Sequence, residues 1–153
     1  MLWQNGEHIR LVLEQTFNYI LTSRMQDLPL LNSVLRVQAV GFMRVNQDWL
    51  GILITPWFMN LLLMPGADNA GITQLPGSKF ERAFPYGSFE FTVAHEAQLG
   101  NYGVCSLFSP MFEFENQAAA FTAAQSALQN LLANPSPRAI SRRDLLRGNL
   151  GGP

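Results

Sequence analysis

Cys105 and His95 are the residue types from which a thiol nucleophile and its base are made, so any chemistry in this 153-residue chain is sought there first. Hydrogen-bonded catalysis needs the two groups within roughly 3 Å of each other. Phe89, Phe91 and Val93 alternate with Ser88, Glu90 and Thr92, the period of a strand with one buried face. Gly100-Asn101 then turns the chain into a second strand, Tyr102–Phe108. Paired as a hairpin, these strands set His95 opposite Tyr102 and Cys105 opposite Thr92. Thiol and imidazole are then about 10 Å apart at 3.3 Å per residue. A single cysteine also excludes an internal disulfide and a CxxC metal knuckle. Two histidines and one cysteine make a poor metal set, and no GxxxxGKS/T loop, GxGxxG turn or HExxH helix is present. The expectation is a protein that is not an enzyme and carries no cofactor or metal. A thiol enzyme built on Cys105 stands as the contrary reading.

Recognition chemistry is better represented. Between Ala83 and Pro137 there is no Lys or Arg, while Glu90, Glu96, Glu113 and Glu115 all fall there. Glu113 and Glu115 just precede Asn116, where acids complement a helix dipole. An acidic pair is equally what an Arg-Arg dipeptide seeks, since guanidinium meets carboxylate in a bidentate fork. Trp57-Phe58-Met59-Asn60 has a similar double reading, in which strand alternation turns either Trp57 and Met59 or Phe58 and Asn60 away from the core. The segment fits either a sheet covered on both faces or an adaptable aromatic and methionine face for an apolar peptide. Glu90, Glu113, Glu115, Trp57, Phe58 and Met59 are therefore the candidate partner-binding residues. Near the C-terminus, Ser141-Arg142-Arg143-Asp144-Leu145-Leu146-Arg147 looks like a twin-arginine export signature at the wrong end of the chain. The stretch after the arginine pair, Leu145–Pro153, is too short and polar to insert into a membrane. Either Ser141 caps a helix in a basic tail, or Arg142, Arg143, Leu145 and Leu146 imitate a signal on a protein that holds such signals.

These residues have to be positioned by elements, and the pattern names them. Asn5 caps a helix reaching about Arg24, with Ile9, Val12, Leu13, Phe17 and Ile20 on one face and Glu14, Gln15 and Asn18 opposite. Leu35, Val37 and Ala39 alternate as a first strand, and Asn46-Gln47-Asp48 turns into an apolar run. The uncharged stretch Trp49–Ala67 approaches membrane-spanning length, but Pro56 interrupts it and Asp48 and Asp68 flank it. It reads as two buried strands bent at Pro56. Pro65–Gly71 is a loop, Pro76-Gly77 restarts a strand through Phe80, and Phe84–Gly87 turns the chain. Asn116 caps a last helix with Phe121, Ala124, Leu128, Leu131 and Leu132 on one face. The fold class expected is α+β, a mainly antiparallel sheet of five or six strands flanked by an N-terminal and a C-terminal helix. Residues 1–134 form one domain in this reading, and 135–153 a flexible basic tail.

Charged residues are 14% of the chain and apolar residues 48%, a composition that leaves apolar surface for a partner. Residues 138–153 carry Arg138, Arg142, Arg143 and Arg147 against Asp144, whereas the body is acidic, so nucleic acid is not its ligand. The opening Met1–His8 lacks a signal peptide's basic region, and a cytoplasmic protein without membrane insertion is expected.

Thr55-Pro56-Trp57-Phe58-Met59-Asn60, then Leu61-Leu62-Leu63-Met64-Pro65-Gly66, resembles the central motif of the HybE/HupJ/HoxT family of nickel–iron hydrogenase assembly chaperones. Phe89-Glu90-Phe91 and Cys105–Phe114 are similar to its second and third blocks, in order and spacing, and the resemblance spans about Val34 to Leu132. It implies a cytoplasmic accessory protein that attends the hydrogenase small subunit before twin-arginine export; the acidic residues and the aromatic face add the expectation that the precursor is held by its leader. The resemblance also implies possible contacts with other maturation proteins. Some relatives carry a rubredoxin-like part whose cysteines this chain lacks, so no iron site is implied. The competing reading is a structural assembly factor that docks on the large subunit or another maturation protein without reading the leader. A tail that imitates a leader also offers a route to homo-oligomers by tail exchange.

Overall fold

Asn5 starts the first helix, α1 (Gly6–Ile20), its side-chain oxygen accepting from the backbone N–H of His8. Ile9, Leu13, Phe17 and Ile20 are buried along one stripe, and a π-helical turn, Leu21–Met25, extends the helix. The structure, a computed structural model, describes residues 3–66 and 72–133. Residues 67–71 of the expected Pro65–Gly71 loop, and the tail with Arg142, Arg143, Leu145 and Leu146, lie outside the described residues.

Six strands come next: β1 (Gln38–Val45), β2 (Asp48–Ile54), β3 (Met59–Met64), β4 (Lys79–Phe84), β5 (Gly87–Glu96) and β6 (Gly100–Phe108). They form one sheet in the order β1-β2-β3-β6-β5-β4, every neighbouring pair antiparallel. Helix α2 (Gln117–Leu131) closes the described chain, with Asn116 accepting from the backbone N–H of Ala119. The α+β class with two terminal helices is as expected, and the helices take opposite faces of the sheet. Leu50, Ile52, Leu61, Leu63, Phe91 and Cys105 pack with α2. Trp49, Leu53, Leu62, Met64 and Tyr102 pack with α1. Strands β2 and β3 are buried on both sides, which is why their sequence runs apolar instead of alternating. Among the described residues no helix is long and apolar enough to cross a membrane.

Several expectations give way to the structure, among them the short strand from Pro76-Gly77 through Phe80, which instead runs Lys79–Phe84 as β4. The first strand begins at Gln38, not Leu35, because the ladder ends where Gln38 meets Ile54 and β2 gives way to a turn. Leu35 and Val37 are buried without ladder partners. The backbone N–H between them, on Arg36, donates to the side chain of Gln117 instead. The β5–β6 hairpin is one residue out of the expected register. Gly100 already belongs to β6, so His95 faces Asn101 and Ala94 faces Tyr102. Cys105 lies four positions beyond Asn101, about 13 Å along the strand. Glu14, assigned to the outer face of α1, instead docks that helix. Its carboxylate accepts from the backbone N–H of Ala39 at 3.0 Å and from Arg10 at 2.7 Å.

Candidate peptide-binding groove

Trp57 and Phe58 sit in the turn joining β2 to β3, and the turn is built by one hydroxyl. Thr55, fully buried, accepts at Oγ1 from the backbone N–H of Trp57 at 3.2 Å and of Phe58 at 3.0 Å. The Thr55 N–H donates to the Phe58 carbonyl, closing the loop. Both aromatic side chains are thereby thrown onto the α1 face, half-buried, with ring centroids 5.4 Å apart in an edge contact. Phe58 also meets Phe17 of α1 at 5.9 Å.

A groove of about 310 Å³ opens beside them, between the end of α1 and the sheet. Phe17 and Ile20 form its helical wall, and Leu62, Ala94, Tyr102 and Val104 its floor. Asn60 of β3 lies near the aromatic turn. At the other end Arg24, from the π-helical turn, meets Glu96 of β5. Both guanidinium nitrogens approach the Glu96 carboxylate only to 3.4 Å. The Arg24 side chain is 57% exposed and that of Glu96 20%. A long pair whose guanidinium lies mostly in solvent contributes about 0–1 kcal/mol, so another guanidinium can exchange with Arg24. Tyr102 is buried in the floor, and burial first, then the neighbouring Glu96, raises its phenol well above the usual tyrosine range.

The predicted partner residues are divided among different parts of the molecule. Trp57 and Phe58 line the groove. Met59 does not: it begins β3 with its side chain fully buried on the α2 side, because successive strand residues point to opposite faces. Glu90 is exposed on β5 opposite Glu81, and shares Glu96's face of the sheet by its even position on the same strand. Glu113 and Glu115 are exposed in the connection to α2. That connection is tied to the aromatic turn through Asn32, whose N–H donates to the Pro56 carbonyl and whose side chain donates to the carbonyls of Met111 and Phe114. None of the three carboxylates lines the groove. Glu96 and Arg24 were missed by sequence reasoning, whereas strand alternation offers Asn60 together with Phe58 as one of two possible partner-facing pairs. The strand parity of β5 was the available signal for Glu96.

Cys105 is buried in the core on the α2 side and pairs with Leu61. His95 is exposed, its Nδ1 2.9 Å from the Asn101 side chain. Among the described residues no group of three or more His, Cys, Asp or Glu is placed to hold a metal ion.

The profile of the family described as "[NiFe]-hydrogenase assembly, chaperone, HybE" matches residues 9–148. The chain is 42% identical to protein HoxT of Cupriavidus necator over 155 residues, covering 92% of this chain and 86% of that protein. It is 41% identical to the hydrogenase expression/formation protein HupJ of Bradyrhizobium diazoefficiens over 137 residues, 82% of this chain and 79% of the relative. The solution structure of HybE from Escherichia coli superposes with a TM-score of 0.69, covering 94% of this chain and 85% of that one at 23% identity, a likeness of fold. The groove is thus carried by a chain that belongs to the HybE family of nickel–iron hydrogenase assembly chaperones.

Proposed function

We propose that this protein holds the hydrogenase small-subunit precursor by its twin-arginine leader, and that the groove beside Trp57 and Phe58 is where the leader lies. The observation that carries this reading is the pairing, in one groove, of an apolar floor with a carboxylate whose only groove-lining counter-charge among the described residues is the exchangeable Arg24. A leader supplies both complements, guanidinium groups for Glu96 and an apolar continuation for the floor and the aromatic turn. Glu90 on the same sheet face, and Glu113 and Glu115 near the turn, add negative potential that attracts arginines from a distance. That contribution is screened over about 10 Å at 0.1 M salt, so affinity falls as salt rises while the apolar share remains.

Titrating the precursor with and without its leader is the direct test. Binding should weaken at least tenfold when the leader is removed, and equal affinity for both forms would move the interface to the mature subunit. The second reading, docking on the large subunit or another maturation protein, is favoured by a different surface. A groove of about 320 Å³ between β1 and α2 has an uncharged lining that includes Met43, Phe121 and Leu128. Met43→Asp in that groove abolishes partner capture under the second reading and leaves leader binding intact under the first.

A further inference from the structure

Strand β3 reads Met59-Asn60-Leu61-Leu62-Leu63-Met64, and Asn60 interrupts an otherwise apolar strand buried throughout. It is 8% exposed, and its Oδ1 has no hydrogen-bond partner among the described residues. Buried polar groups are ordinarily paired, and a leucine here would match its neighbours with nothing left unsatisfied. The exception therefore asks for an explanation outside the folded chain alone. Asn60 faces the α1 side and lines the groove. Its Cα partners are Leu53 on β2 and Ser106 on β6.

A carboxamide offers coplanar N–H donors and a carbonyl acceptor, the complement of the N–H and C=O of a peptide main chain. It can pair with an extended segment whatever the side chains are, while neighbouring apolar surface and charge select the sequence. The register gives the length such a segment needs. Asn60 is level with Ser106 and Glu96 with Gly100, six positions of β6 apart. That is about 20 Å of strand, the span of about six extended residues at 3.3 Å each.

We propose that Asn60 is the main-chain-reading residue of the groove. It pairs with the backbone of an extended peptide segment whose arginine end replaces Arg24 at Glu96. The inference rests on the groove being the leader site, and adds that the leader binds extended, gripped through its backbone near the aromatic turn.

The test is calorimetric titration of the full chain with a synthetic leader peptide and with a series in which single backbone amides are replaced by esters, deleting one N–H at a time. With the native protein, one ester position should weaken binding about tenfold. Asn60→Leu should bind the unmodified peptide about tenfold more weakly, and that same ester should then cost nothing further. The melting temperature of Asn60→Leu should not fall, because the substitution removes a buried acceptor without a partner. A readout on the native chain guards against a variant that fails to fold: the Asn60 side-chain amide resonances should shift on peptide addition. Unchanged affinity of Asn60→Leu, or an ester profile identical in both proteins, would overturn the proposal while leaving the leader site standing. A peptide that does not bind the native protein at all would remove both.

Discussion

Tyr102 shows at the scale of one residue how burial in the groove floor becomes a measurable property. Its phenol is held neutral by burial and by the nearby Glu96, with ionisation raised well above the ordinary tyrosine value of 10.0. Linkage fixes the sign. The unfolded chain gives up this proton first, so the stability contributed by neutral Tyr102 is complete below pH 10 and is lost as pH climbs further. Chemical denaturation across pH 9–12 should show Tyr102 contributing a decline of up to about 1.4 kcal/mol per pH unit above pH 10. Tyr102→Phe should flatten that decline, and an equal slope in the two proteins would contradict the buried, neutral phenol. Residues of this kind were only half legible in the sequence. The separation of Cys105 from His95 came from strand periodicity and survives the one-residue error in register. The grouping of Arg24, Asn60 and Glu96 depends on how three separate elements meet, which no local pattern records. Met59 was misplaced for a related reason. Strand alternation puts Trp57 and Met59 on one face and Phe58 on the other, but the turn runs through Trp57 and Phe58 and the strand begins at Met59, so the two aromatics share a face and Met59 takes the opposite one.

At the scale of elements, the turn built on Thr55 positions the aromatic end of the groove. Its hydroxyl is the acceptor for two backbone N–H groups in a buried setting. Thr55→Val keeps the shape and removes that acceptor, leaving N–H groups unsatisfied at a cost of about 1–3 kcal/mol each. Thermal unfolding should show a clear loss of stability, leader affinity should drop with it, and Thr55→Ser should recover both. A Thr55→Val protein of native stability would show that the turn is held by other contacts. The helices were the most legible elements, because each announces itself twice, by an apolar stripe and by an asparagine cap at Asn5 or Asn116. The two strands bent at Pro56 were readable from an apolar run that proline divides. The start of β1 was not readable, since Leu35 and Val37 alternate like strand residues but find no partner strand. Burial produces the same alternation whether or not a ladder forms.

The whole molecule is a sheet covered on its two faces by helices of different character. On the α2 side the groove toward β1 has an uncharged lining, and on the α1 side the groove ends in a carboxylate. This asymmetry is what the uneven charge of the sequence becomes in three dimensions. Glu90 and Glu96, from the stretch lacking Lys and Arg, occupy even positions of β5 and so share the α1 face. The α1-side groove is the proposed seat of the leader in this hydrogenase assembly chaperone. Amide and side-chain chemical-shift mapping of the labelled protein with an unlabelled leader peptide tests this placement most directly. The Trp57 indole, Phe58, Ala94, Glu96 and Val104 should shift together and saturate with one affinity, while Met43, Phe121 and Gln125 stay still. Shifts confined to Met43, Phe121 and Gln125, or a leader that perturbs neither groove, would contradict it.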